Sequence, residues 1–516
     1  MEERHRKDQE TIAELSGKIQ FLQQELFGRK SEKGLLTSPE DLPAETSRTS
    51  VPEPEEPPPA SEVKELMELT EPEERPKRKR GHQPGRKSSG RTRHPDLPAF
   101  VEVLEPDRKE CPTCQAPFVP YGSPEEADIF EISVTPHKRT FRRPRYQKTC
   151  LCPGTPRIAI APPAPRLVPR GKLGISIWTT VLTDKFLYNR PTARLLKDLK
   201  DKGLSLAQGT VTDGLKFFSG LFEPVYDEIV KKSRTASFSQ ADETRTYVYG
   251  DKEGQSNTSR KNPNRWWLWV ILTVETVVYV VDPSRSAKVP LAHFAQSVCT
   301  LVVDRYSAYK YAASRIVGLT LAFCWAHVRR DFVKAFVEYR RMKPWVTSWI
   351  GRIRKLYRLG KKPEDRIKNR DALVDLLDLM KREAEKDALS PTLPPPCIKA
   401  VKSLLAHWEG LTLFLDHPEI PLDNNASERA LRLPVSSRKN FRGAGALWSA
   451  HLAAWITTLF ATWSLHGINI HTALTDYLTT CARLGRVPDD LSPWLPWAMD
   501  PDRKAFLSRP RPHDTS

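Results

Sequence analysis

Between residues 236 and 323 the chain alternates short apolar runs with helix-length spacers, and an aspartate stands where the first and the fourth of those runs surface. The first run, Ala236-Ser-Phe-Ser-Gln-Ala-Asp242, continues through Thr244 to Tyr249. A polar loop containing Gly and Asn follows. Then come Trp266-Trp-Leu-Trp-Val-Ile-Leu-Thr273 and Val277-Val-Tyr-Val-Val-Asp282, with Val274-Glu275-Thr276 at their junction. β-branched and aromatic residues in paired runs predict a hairpin. Residues 287–296 predict a helix, and Val298-Cys-Thr-Leu-Val-Val-Asp304 has the near-continuous apolar character of a buried strand. A last short run, Leu319-Thr-Leu-Ala-Phe323, follows one further helix length.

Three strands, a helix, a strand, a helix and a strand is the order of the ribonuclease-H-like fold. That fold sets one carboxylate on its first strand and another after its fourth, side by side, which here are Asp242 and Asp304. Open α/β sheets place their chemistry at such strand ends.

A chain of 516 residues has room for three or more domains. Its formal net charge is +18, and many of its acids lie in one N-terminal tail, so the remainder is more basic still. Such a surplus fits a phosphate-backbone ligand, because neutralised phosphates release counterions and drive binding. The alternative is a solvated basic surface. The charged start Met-Glu-Glu-Arg-His-Arg-Lys carries no secretory signal, and the apolar stretch 451–465 is shorter than a membrane span. These features predict a soluble, cytoplasmic protein without a membrane partner.

The expected architecture is multidomain and mixed α/β, with a ribonuclease-H-like catalytic core preceded by smaller modules. Residues 1–33 hold Ile12, Leu15, Ile19, Leu22 and Leu26 at three-four spacing, a short coiled-coil seam closed by Gly28. A single helix docked on the body is the alternative. Residues 34–76 are rich in Pro, Glu and Ser, and bury too little apolar surface to offset their ordering entropy. They predict an acidic, disordered linker, with a short helix near residues 63–69 as the alternative within it. Charge reverses over 77–98, where Lys77, Arg78, Lys79, Arg80, Arg86 and Lys87 lie on a Gly/Pro backbone suited to tracking DNA phosphates.

Residues 99–160 contain Cys111-Pro-Thr-Cys114 and Cys150-Leu-Cys152. Four thiolates so paired close a tetrahedral, structural Zn²⁺ site that staples a small module. The second pair is Cys-x-Cys rather than Cys-x-x-Cys, and His137 is a spare ligand. Residues 161–233 predict a helical, helix-turn-helix-like DNA-binding region around Gly203-Leu-Ser205, with Ser205 as N-cap and Thr210, Thr212 and Lys216 toward DNA.

Residues 234–342 are the first part of the core. At its end, Cys324-Trp-Ala-His327-Val-Arg329-Arg330 opens a helix on which His327 and Arg330 share a face. That face suits a phosphate or is a plain basic surface. Residues 343–420 predict a helical insertion, 421–445 a return to the core, and 446–516 a C-terminal helical segment.

A nuclease of this fold needs a third acid arriving on a helix. In Pro421-Leu-Asp423-Asn-Asn-Ala-Ser-Glu428-Arg-Ala-Leu-Arg432, Glu428 fits with Asp423 as N-cap, and Asp423 competes for the role. The bland alternative pairs Glu428 with Arg432 on a solvated face. Three converging carboxylates repel unless cations neutralise them, which predicts two Mg²⁺ or Mn²⁺ ions about 3.5–4 Å apart serving an in-line phosphodiester displacement. No Walker-type phosphate loop appears, so ATP is not implied.

Laid out in order, these pieces resemble the transposases of the insertion sequence sixty-six family over nearly the full length. The matching segments are Leu26-Phe-Gly-Arg-Lys-Ser-Glu-Lys33, Gly81-His-Gln-Pro-Gly85, the cysteine pairs, Leu167-Val-Pro-Arg-Gly171, Ala241-Asp-Glu-Thr244, Ser284-Arg-Ser286, Asp304-Arg-Tyr-Ser-Ala-Tyr309, Cys324-Trp-Ala-His-Val-Arg-Arg330 and Asp423-Asn-Asn-Ala-Ser-Glu-Arg429. The tail around Leu465-His-Gly-Ile468 also matches.

The resemblance implies a DDE transposase with the triad Asp242, Asp304 and Glu428, and so favours Glu428 over Asp423. It implies hydrolysis at each element end, freeing a 3′-hydroxyl that attacks target DNA. It also implies binding of terminal inverted repeats, action as a homodimer or larger assembly, small accessory proteins encoded beside it, and a bacterial nucleoid setting. A catalytically idle DNA-binding protein, or a ribonuclease-H-like nuclease that cuts without joining, are the other expectations the residues allow.

Overall fold

The structure, a computed structural model, describes residues 157–250 and 264–509 continuously, with short stretches at 58, 61–64, 103, 112–117, 134–147 and 149. The seam of 1–33, most of the acidic linker and the basic run 77–98 lie outside the described residues. The chain divides into two compact units, Glu73–His137 and the remainder.

The expected zinc-binding module is overturned. Among the described residues no group of three or more His, Cys, Asp or Glu is placed to hold a metal ion. Cys114 is an exposed free thiol on a turn and His137 is exposed as well. Structural zinc requires a closed set of four ligands, and neither residue belongs to such a set. Cys111, Cys150 and Cys152 lie outside the described residues.

In the larger unit, β1 (Arg145–Gln147) and β2 (Ile158–Ile160) form an exposed antiparallel pair with Tyr146 opposite Ala159. The helices α1 (Ile175–Phe186), α2 (Thr192–Asp201), α3 (Gln208–Phe218) and α4 (Glu223–Arg234) follow. Helix α3 starts at Gln208 with Ala207 as its N-cap, not at Ser205. Its inner face packs on α1 so closely that a Cβ at Gly214 would sit 2.2 Å from the Trp178 ring. Thr210, Thr212 and Lys216 are exposed on its other side.

The central sheet contains β3 (Phe238–Val248), β4 (Asn264–Leu272), β5 (Val277–Asp282), β6 (Cys299–Val303) and β7 (Leu319–Phe323). Helix α5 (Lys288–Phe294) crosses from β5 to β6, and α6 (Ser307–Arg315) from β6 to β7. Their order across the sheet is β5-β4-β3-β6-β7. The first three strands pair antiparallel, and β6 and β7 run parallel to β3. This is a mixed α/β architecture consistent with a ribonuclease-H-like core.

Side chains alternate between the two faces of the sheet. Ala241, Trp269, Ile271, Val278, Leu301 and Val303 face a large core shared with α1, α3, α4 and α6. The opposite face carries Val270, Val277, Tyr279 and Val302.

After β7, helix α7 (Trp325–Glu338) leads into α8 (Lys343–Gly360), α9 (Pro363–Lys368), α10 (Arg370–Ala388), α11 (Pro395–Ala406) and α12 (Trp408–Thr412). They enclose a core of their own. Phe332 stacks on Trp349 at 4.9 Å, and the indole N–H groups of Trp345 and Trp349 both donate to Asp387.

The chain then returns through α13 (Asn425–Ala430), α14 (Arg432–Phe441), α15 (Leu447–Leu465), α16 (Ile470–Leu484) and α17 (Pro501–Ser508). Helix α15 carries apolar residues on every side, and most of its length is buried or half-buried. It lies along edge strand β5, where Thr462 and Thr458 hydroxyls accept from the Val277 and Tyr279 N–H groups. Those bonds satisfy an edge that would otherwise be open to another strand. Among the described residues no helix is long and apolar enough to cross a membrane.

Candidate active site on one face of the sheet

Strands β3 and β6 pair in parallel with Gln240 opposite Val302. Two residues further along each strand stand Asp242 and Asp304. The two-residue repeat therefore puts both carboxylates on the face of Gln240 and Val302, on neighbouring strands. Asp242 is buried, and its Oδ1 accepts from the Glu243 N–H at 2.8 Å. Asp304 is half-buried just past β6. Its Oδ1 accepts from the Tyr306 N–H at 3.0 Å, a local turn that stops the strand and starts α6.

Glu428 rides on α13, which packs against β3 and β4 on that same face. The approach of α13 is fixed at its start. The Trp325 N–H donates to Leu422 O at 2.9 Å, and the Trp325 indole donates to Leu411 O at 2.8 Å. Asn424, fully buried, reaches Ala241 O at 3.5 Å beside Asp242. Asn424, rather than Asp423, is the N-cap residue; the Asp423 carboxylate accepts from the Asn425 N–H.

The same clamp brings α7 alongside. Arg330 Nη2 donates to both carboxylate oxygens of Glu428, at 2.8 and 3.0 Å. Its Nη1 donates to His327 Nε2 at 2.9 Å. A guanidinium only donates, so Nε2 accepts and the imidazole is the neutral Nδ1–H tautomer here. The 3.8 Å approach of that nitrogen to Glu428 is then not an ion pair. Burial works against the Arg330 cation, but Glu428 more than offsets it, with Cys324 and Asp242 adding to a pKa above the usual value. Arg330 thus feels the charge of both Glu428 and Asp242.

Residues 170–452, more than half of the chain, match the Transposase IS66 family. This chain belongs to that family.

The IS66-family chain is also similar to two proteins of Sinorhizobium fredii. Protein y4jD is 27% identical over 79% of this chain and 81% of its own length, and y4qI is 23% identical over 79% and 76%. Among solved structures, the Mos1 strand transfer complex is 14% identical over 36% of this chain and 76% of that one. Its TM-score is 0.14, too low to carry an argument.

Asp242, Asp304 and Glu428 are the three acids expected to react, and the expected two-ion Mg²⁺ or Mn²⁺ site is corrected along with zinc. Among the described residues no three acids form a group fit to hold a metal ion. The physical reason is visible at Glu428, where both oxygens are engaged by the Arg330 cation. Of the residues expected at DNA, His327 and Arg330 sit at this acid, and Lys77, Arg78, Lys79, Arg80, Arg86 and Lys87 lie outside the described residues.

Sequence reasoning missed Glu243. One residue beyond Asp242, it must point to the opposite face, where its side chain is wholly buried. Arg285 donates to Glu243 Oε1 from Nε at 3.1 Å and Nη2 at 2.7 Å, and the Tyr309 hydroxyl donates to Oε2 at 2.5 Å. The Arg285 guanidinium lies 4.8 Å from the Trp267 ring centroid and 3.9 Å from that of Tyr306. Burial, then Glu243, Asp304 and Asp242, hold the Tyr309 phenol well above its ordinary pKa. The signal was present: Glu243, Arg285 and Tyr309 each stand in a separate segment of the family resemblance. The Cys324 thiol is pushed up to about 12 by burial and by Asp423, which removes it as a nucleophile at neutral pH.

Proposed function

We propose that this chain is a DNA transposase that binds the terminal inverted repeats of an insertion sequence, hydrolyses the element ends and joins the freed 3′-hydroxyls to target DNA. The reacting residues are Asp242, Asp304 and Glu428. Supporting this most is one observation: two carboxylates on neighbouring strands of one sheet face, under the helix that bears Glu428, in a chain of the IS66 transposase family.

In the first step a water oxygen attacks phosphorus in line, and the 3′-oxygen of the element end leaves and takes up a proton. In the second, that 3′-hydroxyl attacks a target phosphodiester, forming one P–O bond as another breaks. Each attack requires removal of a proton from the incoming oxygen, which a positioned carboxylate accepts. Exposed Thr210, Thr212 and Lys216 on α3 are the residues for reading the repeats, with the basic run at 77–98 on the backbone. Two ends must be cut and joined together, so at least two protomers act on one element, at the bacterial chromosome.

Asp242→Asn, Asp304→Asn and Glu428→Gln each keep shape and remove the charge. The expected result is loss of strand cleavage on a duplex carrying the repeat, with binding in a gel-shift assay within about twofold of wild type. A variant that still cuts at the wild-type rate removes its residue from the reacting set.

A further inference from the structure

Helix α12 docks the end of the helical insertion on β7, the edge strand beside β6. A Cβ at Gly410 would lie 2.6 Å from the Phe323 ring and 2.7 Å from Leu321 O, so glycine is what permits so close an approach. Just past α12, Leu413 and Ile420 pack with Val302 and Ala322 on the sheet face of Asp304.

That docking sets α11 against the start of α6. Arg305, the residue after Asp304, donates from Nη1 to Ser403 Oγ at 2.7 Å, and its Nη2 lies 2.6 Å from Asp331 Oδ2. Lys310 on α6 lies 2.6 Å from His407 Nε2. The other ring nitrogen, Nδ1, is 2.7 Å from Ser403 O, which can only accept. Nδ1 therefore carries the proton, and Nε2 accepts from the ammonium. The imidazole also stands edge-on to Phe323 at 4.8 Å. Burial, with Arg305 adding to it, lowers the pKa of both Lys310 and His407. Positive charge is thus held at this strand end by a bonded framework before any ligand arrives.

The framework continues along α11. Lys399, Ser403 and His407 recur at every fourth residue of the helix and its C-cap, about 6 Å apart by helical rise. Lys402 stands in the adjoining row. Lys310, Lys399 and Lys402 are exposed. Arg305 already has Asp331 as its counter-ion, so its part is to hold Ser403 in place. The Ser403 hydroxyl accepts from Arg305 and keeps its own proton to donate.

We propose that Lys310, Lys399 and Lys402, with Ser403 among them, form a track for a DNA phosphate backbone that ends at Asp304. The helical insertion then has a direct part in holding DNA. A line of cations spaced along a helix suits a ligand of repeating charge better than a single anion, and each phosphate neutralised releases counterions. That the polyanion is DNA rests on the transposase reading.

The test uses the full chain, the triple variant Lys310→Gln/Lys399→Gln/Lys402→Gln, and Lys504→Gln as control. Lys504 lies on α17, which packs on α16. Binding to a random-sequence duplex is measured over a range of salt. At about 0.9 per phosphate, the slope of log K against log salt is expected to fall by about 2.7 in the triple variant at unchanged Tm, and to stay near wild type in the control. Gln at 310 keeps a donor for His407. If Tm nevertheless drops, Lys399→Gln/Lys402→Gln carries the test, with an expected fall of about 1.8.

A fall no greater, per lysine removed, than that of Lys504→Gln overturns the proposal, because it reports net charge alone. A wild type that shows no salt-dependent binding overturns it as well. Cleavage is followed separately and the binding measurement needs none. An inactive chain with the reduced slope sinks the transposase reading and leaves the track standing; cleavage with an unreduced slope does the reverse.

Discussion

Arg330 gives one guanidinium nitrogen to both oxygens of Glu428, joining residues 98 apart in sequence and pinning α7 to α13 over the sheet. Both side chains are largely shielded, at 23% and 16% exposure, so the pair is worth more than a surface ion pair and less than a fully buried one. In a double-mutant cycle of Arg330→Met with Glu428→Gln, followed by urea unfolding, the expected coupling is about 1–3 kcal/mol. A coupling indistinguishable from zero would mean the contact has no energetic weight in solution.

On the other face of β3, Glu243 is the more deeply committed acid. Arg285→Met leaves its carboxylate buried without a cation, and the expected cost is about 3–5 kcal/mol. Glu243→Gln leaves Arg285, which reaches solvent, and costs less. The double variant recovers much of the loss, since an ion pair replaced on both sides no longer carries desolvated charge. Thermal unfolding of the three variants gives the order. If Glu243→Gln proves the worst of them, the buried charge is not what makes the network necessary.

How far these contacts could be read beforehand differs by range. Strand β7 falls on the expected residues 319–323, and β4, β5 and β6 fall within a residue or two of the apolar runs, because alternation and β-branching are local properties. Asp242 and Asp304 follow from those strands and their register. The partner of Glu428 does not. Spacing on its own helix suggested Arg432, whereas the actual cation comes from α7, placed by the Trp325–Leu422 contact across the whole helical segment between them. Ser205 has the right side chain for an N-cap, yet α3 begins at Gln208, where Gly214 meets Trp178; packing outweighed a capping preference of about 1 kcal/mol. The zinc expectation rested on cysteine spacing alone, and spacing says nothing of whether ligands meet.

That helix contact gives a prediction of its own. Gly214→Ala places a methyl 2.2 Å from Trp178 Cη2, so α3 or the indole must shift. Overpacking of this kind costs about 1–3 kcal/mol, read as a lower urea midpoint at unchanged slope. Trp178→Leu in the Gly214→Ala background removes the obstructing ring edge, so the two substitutions together should cost less than their sum. Strict additivity would place the strain elsewhere.

His293 sets an acid limit on the core beneath α5. It is buried, with Ser233 Oγ 3.2 Å from its Nε2 and the Phe294 ring edge-on at 4.8 Å. Burial, and then the Arg234 cation, lower its pKa from 6.5 to about 3. Between those values the unfolded chain binds a proton that the folded chain refuses, so the folded state is penalised as pH falls. The contribution is complete above about 6.5 and is lost progressively toward 3, at about 1.4 kcal/mol per pH unit. From pH 7 to pH 5 this one group is expected to remove about 2 kcal/mol of stability. His293→Gln keeps a hydrogen-bonding side chain beside Ser233 and cannot titrate, so its urea unfolding free energy should fall less over the same interval by that amount. Parallel pH profiles for the two proteins would show that the imidazole charges without penalty, and that the core under α5 admits water.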